Sequence, residues 1–504
     1  MGSRYPESKL LLDTNKVPSH TAAAANPCHG FPLVYMTTTE TPAPATRAAQ
    51  VDRNTRIKPR IVAQLNDWQY VERSIHRLLA GWGRHFCEWD GKSACHRHIW
   101  EQAEVVRRLR ERVAEFPGGK PDAPVSARLQ ELANTVLLAP SFEDALDGTC
   151  QLLTKALAAS YAAYVRNAHP IHDAPTVRLL HEITGAKEQE WLWYREWRRD
   201  HPHQTDADYK ARVEKALADC GNLLEALPVE GQPAAPCGVG VDFFLPRFTG
   251  RPPGSKPKYN FMPYVQAEFA TNVDARRLFW AYGYMMEKNL PDDQLMWIWY
   301  GHEMPWDFHH DVSRHLWDES RHGDSGLSRL KDFGISMEEI GFPSYAGSNE
   351  RNGAEADLAA PGDPLGPKEL HDAVFFTGMV AESGHFEVKN EAFTDFRNGN
   401  DLDSAEMMLF DIIDETAHVQ YAHKWLPVLA EKAGIDNSGY RERAVQERKR
   451  RQAEVHAKLE KEKEFVANSK DTPDYAFYQD CLRRIRETAP LEGAAETIRS
   501  PLPM

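Results

Sequence analysis

The sequence carries one five-residue pattern twice, as Asp318-Glu319-Ser320-Arg321-His322 and Asp414-Glu415-Thr416-Ala417-His418, with the two glutamates 96 residues apart. Glu and His three positions apart share one face of a helix, so each copy sets a carboxylate beside an imidazole. Both copies lie among large apolar residues (LFDIIDETAHVQYAH around the second), which predicts that the pairs face inward. One copy alone would be a weak motif. Two copies on separate helical segments constrain the chain to a bundle that brings them together, because carboxylates with one imidazole per ion suit iron or manganese.

The other half of such a centre would be one carboxylate on the helix preceding each pair. Glu382 lies 33 residues before Glu415, and Glu287 lies 32 before Glu319 (415 − 382; 319 − 287). Nearly equal separations set these residues at matching heights on antiparallel helix pairs, with Glu268 or Glu303 as alternatives to Glu287. A metal-bound histidine usually donates its second N–H to a carboxylate. Asp318 is therefore expected to orient His418, and Asp414 to orient His322, across the bundle. His385 forms a third Glu-x-x-His with Glu382 and is an extra ligand or proton relay if it is not a hydrogen-bonded interior histidine. His315 falls on the ligand face one turn before Glu319. Tyr282, Tyr284 and Tyr421 are the tyrosines expected near the metals, although packing is the ordinary role of so many aromatic side chains.

The helical period recurs along most of the chain and predicts an all-α protein. Residues 1–55, rich in Thr, Ala and Pro, read as disordered. Residues 56–205 give four helices (60–86, 94–115, 142–167 and 176–197) that read as a degenerate second bundle: Glu101 and Glu104 lack a histidine, and the third helix has no central carboxylate. A Pro/Gly-rich connector spans 206–263, within which VGVDFFLP is expected as a short strand. Four more helices (265–290, 304–333, 368–397 and 405–433) make the segment 264–435, with a long crossover at 341–367. Residues 436–504 give a charged helix over 440–466 and an amphipathic turn around 475–485.

At 504 residues the chain can hold two or three cores, and its net charge of −14 disfavours nucleic-acid partners. No apolar run of membrane-spanning length and no export segment are present, so no membrane partner is expected. Seven scattered cysteines without C-x-x-C predict reduced thiols and a cytoplasmic location.

With DESRH, DETAHV and two single-Glu helices, residues 265–433 resemble the ferritin-like di-iron carboxylate superfamily, and within it bacterial proteins with DEARH-type and DEIGHV-type helices. The resemblance implies a ferritin-like four-helix bundle in the C-terminal half, holding two iron ions, with manganese or a mixed Fe/Mn pair as alternatives. It carries the ligand roles onto Glu287, Glu319, His322, Glu382, Glu415 and His418, with Glu319 and Glu415 as the residues on which catalysis depends. It further implies an oxidoreductase that uses dioxygen to oxidise or oxygenate a small organic substrate, with an external electron donor and a homodimer as one assembly. A ferroxidase, or a scaffold with a structural metal, is the alternative.

Overall fold

Runs of helix-forming residues punctuated by Pro, Gly and Asp fold here into helices throughout. The computed structural model describes residues 57–247, 249–250, 257–341 and 361–491. The predicted disordered segment 1–55 and most of the crossover 341–367 fall outside these residues. Among the described residues there is no strand, only isolated bridges between Ser126 and Pro233 and between Pro246 and Pro361. The strand expected at 239–246 does not form. Gly238, just before it, and Gly240, within it, take positive φ, and Pro246 has no N–H to extend a ladder.

The N-terminal helices are Ile57–Trp82, Trp89–Ala114, Ala127–Leu137, Thr154–Asn167 and Ala174–Asp200. The segment expected as an irregular connector begins instead with a helix, Ala207–Asp219, capped by the Asp206 side chain on the Tyr209 N–H at 2.7 Å. Tyr209, Val213 and Leu217 recur every four residues and face inward, so the helical period was present before the Pro/Gly-rich stretch began.

In the C-terminal half the expected helix over 265–290 is broken. Val273–Met286 ends in a 3₁₀ turn, Glu287–Asn289, and a new helix runs over Leu290–Tyr300. Pro291 supplies the reason: it has no N–H for the Glu287 carbonyl, so the α-helical ladder fails at that carbonyl. The two motif helices are Trp306–Asp332 and Leu402–Ala433. Between them, Pro367–Val374 passes through a π-helical segment, Phe375–Glu382, into Ser383–Asn398.

Buried ion pairs fix how these helices are set. Arg276 reaches Asp395 at 2.6 Å, Arg277 reaches Asp401 at 2.6 Å, and Arg329 meets Asp401 at 2.5 Å, while Asp401 also caps the Glu415 helix at the Ser404 N–H. Two glycines allow close approach. A side chain at Gly326 would strike the Met285 and Ala281 backbone, and one at Gly378 would strike Ala422.

From Arg56 onward the chain is one contact unit, and the boundaries at 205 and 263 mark segments within it. A single apolar core joins Leu78, Leu79 and Ile99 of the first half to Leu295, Leu316 and Leu426 of the second. The helix Trp89–Ala114 thereby lies directly along the Glu319 helix.

Candidate metal centre

The four elements carrying Glu287, Glu319, Glu382 and Glu415 converge on one interior point. Glu319 is its hub. Its Oε1 lies 3.2 Å from His315 Nε2 and 3.5 Å from His418 Nδ1, while its Oε2 lies 3.7 Å from His322 Nδ1. Two groups of side chains able to hold an ion share this carboxylate: His315, Glu319, Glu382 and His418 form one, and Glu287, Glu319 and His322 form the other.

In the first group Glu382 Oε1 is 2.9 Å from His315 Nε2 and 3.5 Å from His418 Nδ1, and the two imidazoles stack with centroids 3.7 Å apart. In the second, His322 Nδ1 is 3.4 Å from Glu287 Oε2 and 3.5 Å from Asp411 Oδ1. Of the alternatives to Glu287, Glu303 is exposed beside Lys432, and Glu268 is bonded to Asn272 and the Tyr478 hydroxyl.

The expected cross-bundle bonds are present. His418 Nε2 meets Asp318 Oδ2 and His322 Nε2 meets Asp414 Oδ2, both at 3.3 Å. Each aspartate comes from the opposite motif helix, so each Asp fixes the ring of the other helix and leaves its Nδ1 facing the centre. Arg314 and Arg321, which the sequence reading did not pick out, neutralise this pair: Arg314 Nε is 2.9 Å from Asp318 and Arg321 is 2.7 Å from Asp414. Both guanidiniums lie over the Trp317 ring. Burial pushes the Asp318 carboxyl up, but His418 and the arginines outweigh it and hold the group well below the usual range.

Two further residues emerge from the structure. Lys389, seven residues after Glu382, is buried, with Nζ 2.6 Å from Asp411 Oδ2 and in contact with Glu415 Oε1. Glu415 is therefore inside the centre but in neither ligand group, its carboxylate turned to the lysine. The available signal was spacing: Asp411 precedes Glu415 by four residues, as His315 precedes Glu319. His385 is half-buried and belongs to neither group. Of the tyrosines, Tyr284 packs 6.1 Å from the His322 ring and Tyr421 6.3 Å from His418, whereas Tyr282 lies in the apolar cluster with Phe261.

Burial pushes the Glu287 carboxyl up to about 7 against the pull of His322. Burial and the adjacent Asp411 hold Glu415 well above its ordinary value against Lys389. Burial would lower His315, but Glu382 and Glu319 outweigh it and hold the imidazole up to about 10. Several of these atoms, including His315 Nε2, both Glu382 oxygens, His418 Nδ1, Glu287 Oε2 and His322 Nδ1, are buried without a well-directed hydrogen bond. Polar atoms left so are costly in a protein interior unless a ligand satisfies them. The donor set, oxygen with imidazole, fits iron or manganese.

Compared with family models, curated proteins and solved structures, the chain gives no significant match. The assignment of the site therefore rests on its own geometry.

A second buried polar cluster occupies the N-terminal half. Lys187 Nζ lies 2.7 Å from Glu72 Oε2 and 3.3 Å from Glu190 Oε2 and touches Gln102 Oε1, while Thr154 donates to Glu190 at 3.0 Å and the Tyr161 hydroxyl to Glu72 at 2.6 Å. Lys187 and Glu190 follow Thr154 by 33 and 36 residues (187 − 154; 190 − 154), the separations of Glu415 and His418 from Glu382 (415 − 382; 418 − 382). A π-helical segment, Asp147–Leu153, leads into the helix that starts at Thr154, and Phe375–Glu382 leads likewise into Ser383–Asn398.

Proposed function

We propose that the chain is a ferritin-like di-metal carboxylate oxidoreductase, with iron the first candidate ion and manganese or a mixed pair the alternatives. The observation that carries the reading is one buried carboxylate, Glu319, shared between two ligand groups whose histidines are each oriented by an aspartate from the opposite helix. A structural ion would need one closed ligand shell rather than two adjoining sets with room beside them.

When bound, a pair of such ions supplies electrons to dioxygen. The chain's own residues do the rest. His315, Glu319, Glu382 and His418 would hold one ion; Glu287, Glu319 and His322 would hold the other, with Asp411 and Glu415 within reach. Asp318 and Asp414 orient the histidines. An apolar cavity of about 20 Å³, lined by Trp297, Phe308, Val312 and Val374, abuts His315 and His418 and suits a molecule the size of dioxygen. A separate, largely polar cleft of about 350 Å³ reaches His322 and Asp411 past Tyr284, Arg321 and Glu406, a volume suited to a small polar substrate. The same reading treats the N-terminal half as a second bundle whose centre holds the Lys187 ammonium where the other holds ions, and the equal spacings support it.

The test is metal analysis and oxygen uptake on the purified chain. Two irons per chain and oxygen consumption after reduction are expected; Glu319→Ala should lose both, whereas Glu415→Ala, outside the two ligand groups, should lose oxygen consumption and keep the ion at the His315 position. Sustained Fe(II) oxidation without any organic substrate would favour a ferroxidase. Metal that resists chelators until the protein unfolds would favour a structural role.

A further inference from the structure

The two ligand groups differ in what they offer a cation. We infer that the two metal positions are unequal: the His315 position fills first and binds more tightly, and the Lys389 ammonium competes for the second. This rests on the di-metal reading and adds an order and a competitor to it.

The first position has four buried protein ligands, two of them imidazoles, and no lysine or arginine among them. His315 is what makes it so. It sits one turn before Glu319, with its Nε2 between Glu319 and Glu382, and without it the group would keep only three members. The second position has three ligands, and Glu287 stands at the helix break with its side chain 18% exposed. The two carboxylates that could complete it, Asp411 and Glu415, each already give one oxygen to Lys389.

Charge makes the lysine a competitor. Glu287, Glu319, Glu382, Asp411 and Glu415 are five carboxylates around one interior space, and two divalent ions with one ammonium balance them. A dication entering beside Glu287 can reach Asp411 Oδ1 and Glu415 Oε2, but it must share both carboxylates with the Lys389 ammonium, which keeps their other oxygens. In the first position an ion displaces only the proton that His315 shares with Glu319 and Glu382, and no side-chain ammonium stays beside it. Lys389 is thus a positioning residue that sets the affinity of the second ion.

The experiment is a titration of metal-free full-length protein with Mn(II), followed by calorimetry and by loss of the free-ion electron paramagnetic resonance signal. Wild type should bind two ions in steps separated by at least about tenfold in Kd. His315→Ala should remove the tight step and leave a weaker one. His315→Gln, a polar side chain of similar size, serves as the parallel variant if Ala disturbs folding. Lys389→Met, an apolar side chain of similar length, should tighten the second step and narrow the gap. Two equal steps in wild type, a tight step that survives both His315 variants, or a second step left unchanged by Lys389→Met would overturn the inference while leaving a di-metal site standing. No Mn(II) bound by the folded wild type would sink both.

Discussion

At the scale of single residues, Asp318 and Asp414 have the narrowest task, since each holds one imidazole from across the bundle and neither is in a ligand group. An amide there cannot accept with the strength of a charged oxygen. Asp318→Asn and Asp414→Asn should each weaken metal binding by about 10–100-fold in competition with a chelator while leaving helicity unchanged. Unchanged affinity in both would mean that the rings are fixed by packing alone. These aspartates were legible because they belong to the repeated motif. Lys389 was not, because a lysine on a mixed helix reads as solvent-facing. Only the fold shows that its face is the one turned toward Glu415. Asp411 went unseen for a related reason: it lies four residues before the motif, where a carboxylate near a helix surface is commonplace.

At the scale of elements, helical period was sufficient to locate the two motif helices, whose observed spans, Trp306–Asp332 and Leu402–Ala433, lie within three residues of those expected. It missed what a single proline does. Pro291 turns an expected continuous helix into two and leaves Glu287 on the intervening turn, where it can reach His322. It also gave no sign of how the halves meet. His310 on the Glu319 helix pairs with Glu104 on Trp89–Ala114 at 2.6 Å. His310 is raised despite its burial, by Asp311 and by Glu104, and Glu104 is lowered to about 2, chiefly by His310. A raised histidine stabilises the fold below its unfolded value of 6.5 and loses that contribution as pH climbs through its folded value. A lowered glutamate stabilises above 4.5 and loses its contribution as pH falls toward 2. The pair should therefore contribute most between 4.5 and 6.5, and His310→Gln should flatten the decline of thermal stability above that window. The same slope in variant and parent would remove this pair from the account. The Lys187 cage offers a sharper contrast. Lys187→Met leaves Glu72 and Glu190 buried without their cation and should cost about 3–5 kcal/mol in urea denaturation, part of which Glu72→Gln should restore. A variant as stable as the parent would show that the cage has no need of its charge.

At the scale of the whole molecule, the C-terminal residues are part of the fold that supports the centre. The sequence suggested an amphipathic turn near 475–485; the structure has a full helix, Pro473–Thr488, capped by Thr472. Its apolar face, Phe477, Tyr478, Cys481, Leu482 and Ile485, closes a core with Phe261, Tyr264, Leu278 and Leu330. Leu278 belongs to the helix that leads to Glu287, and Leu330 to the helix that carries Glu319. Polar contacts tie the same elements: Arg277 donates to the Ala489 carbonyl at 2.8 Å, and Arg486 pairs with Asp274 at 2.9 Å. The charged helix Tyr440–Asn468, whose composition suits a solvated or partner-facing helix, is anchored as well, with Arg448 on Ser383 Oγ at 2.8 Å, one residue beyond Glu382. Such support lies far along the chain from the residues it steadies, so no local pattern discloses it. Burying an Ile side chain and then truncating it to Ala costs about 2–5 kcal/mol. Ile485→Ala, fully buried, should lower the unfolding free energy by that amount while the folded protein keeps its metal stoichiometry. Ending the chain after residue 439 removes the whole face, along with both contacts to the Glu287 helix. That form should become protease-sensitive and lose the ion held by Glu287 and His322 before the one held by His315. A truncated chain that retained both ions and the parent's stability would show that the C-terminal helices lie on the bundle without holding it together.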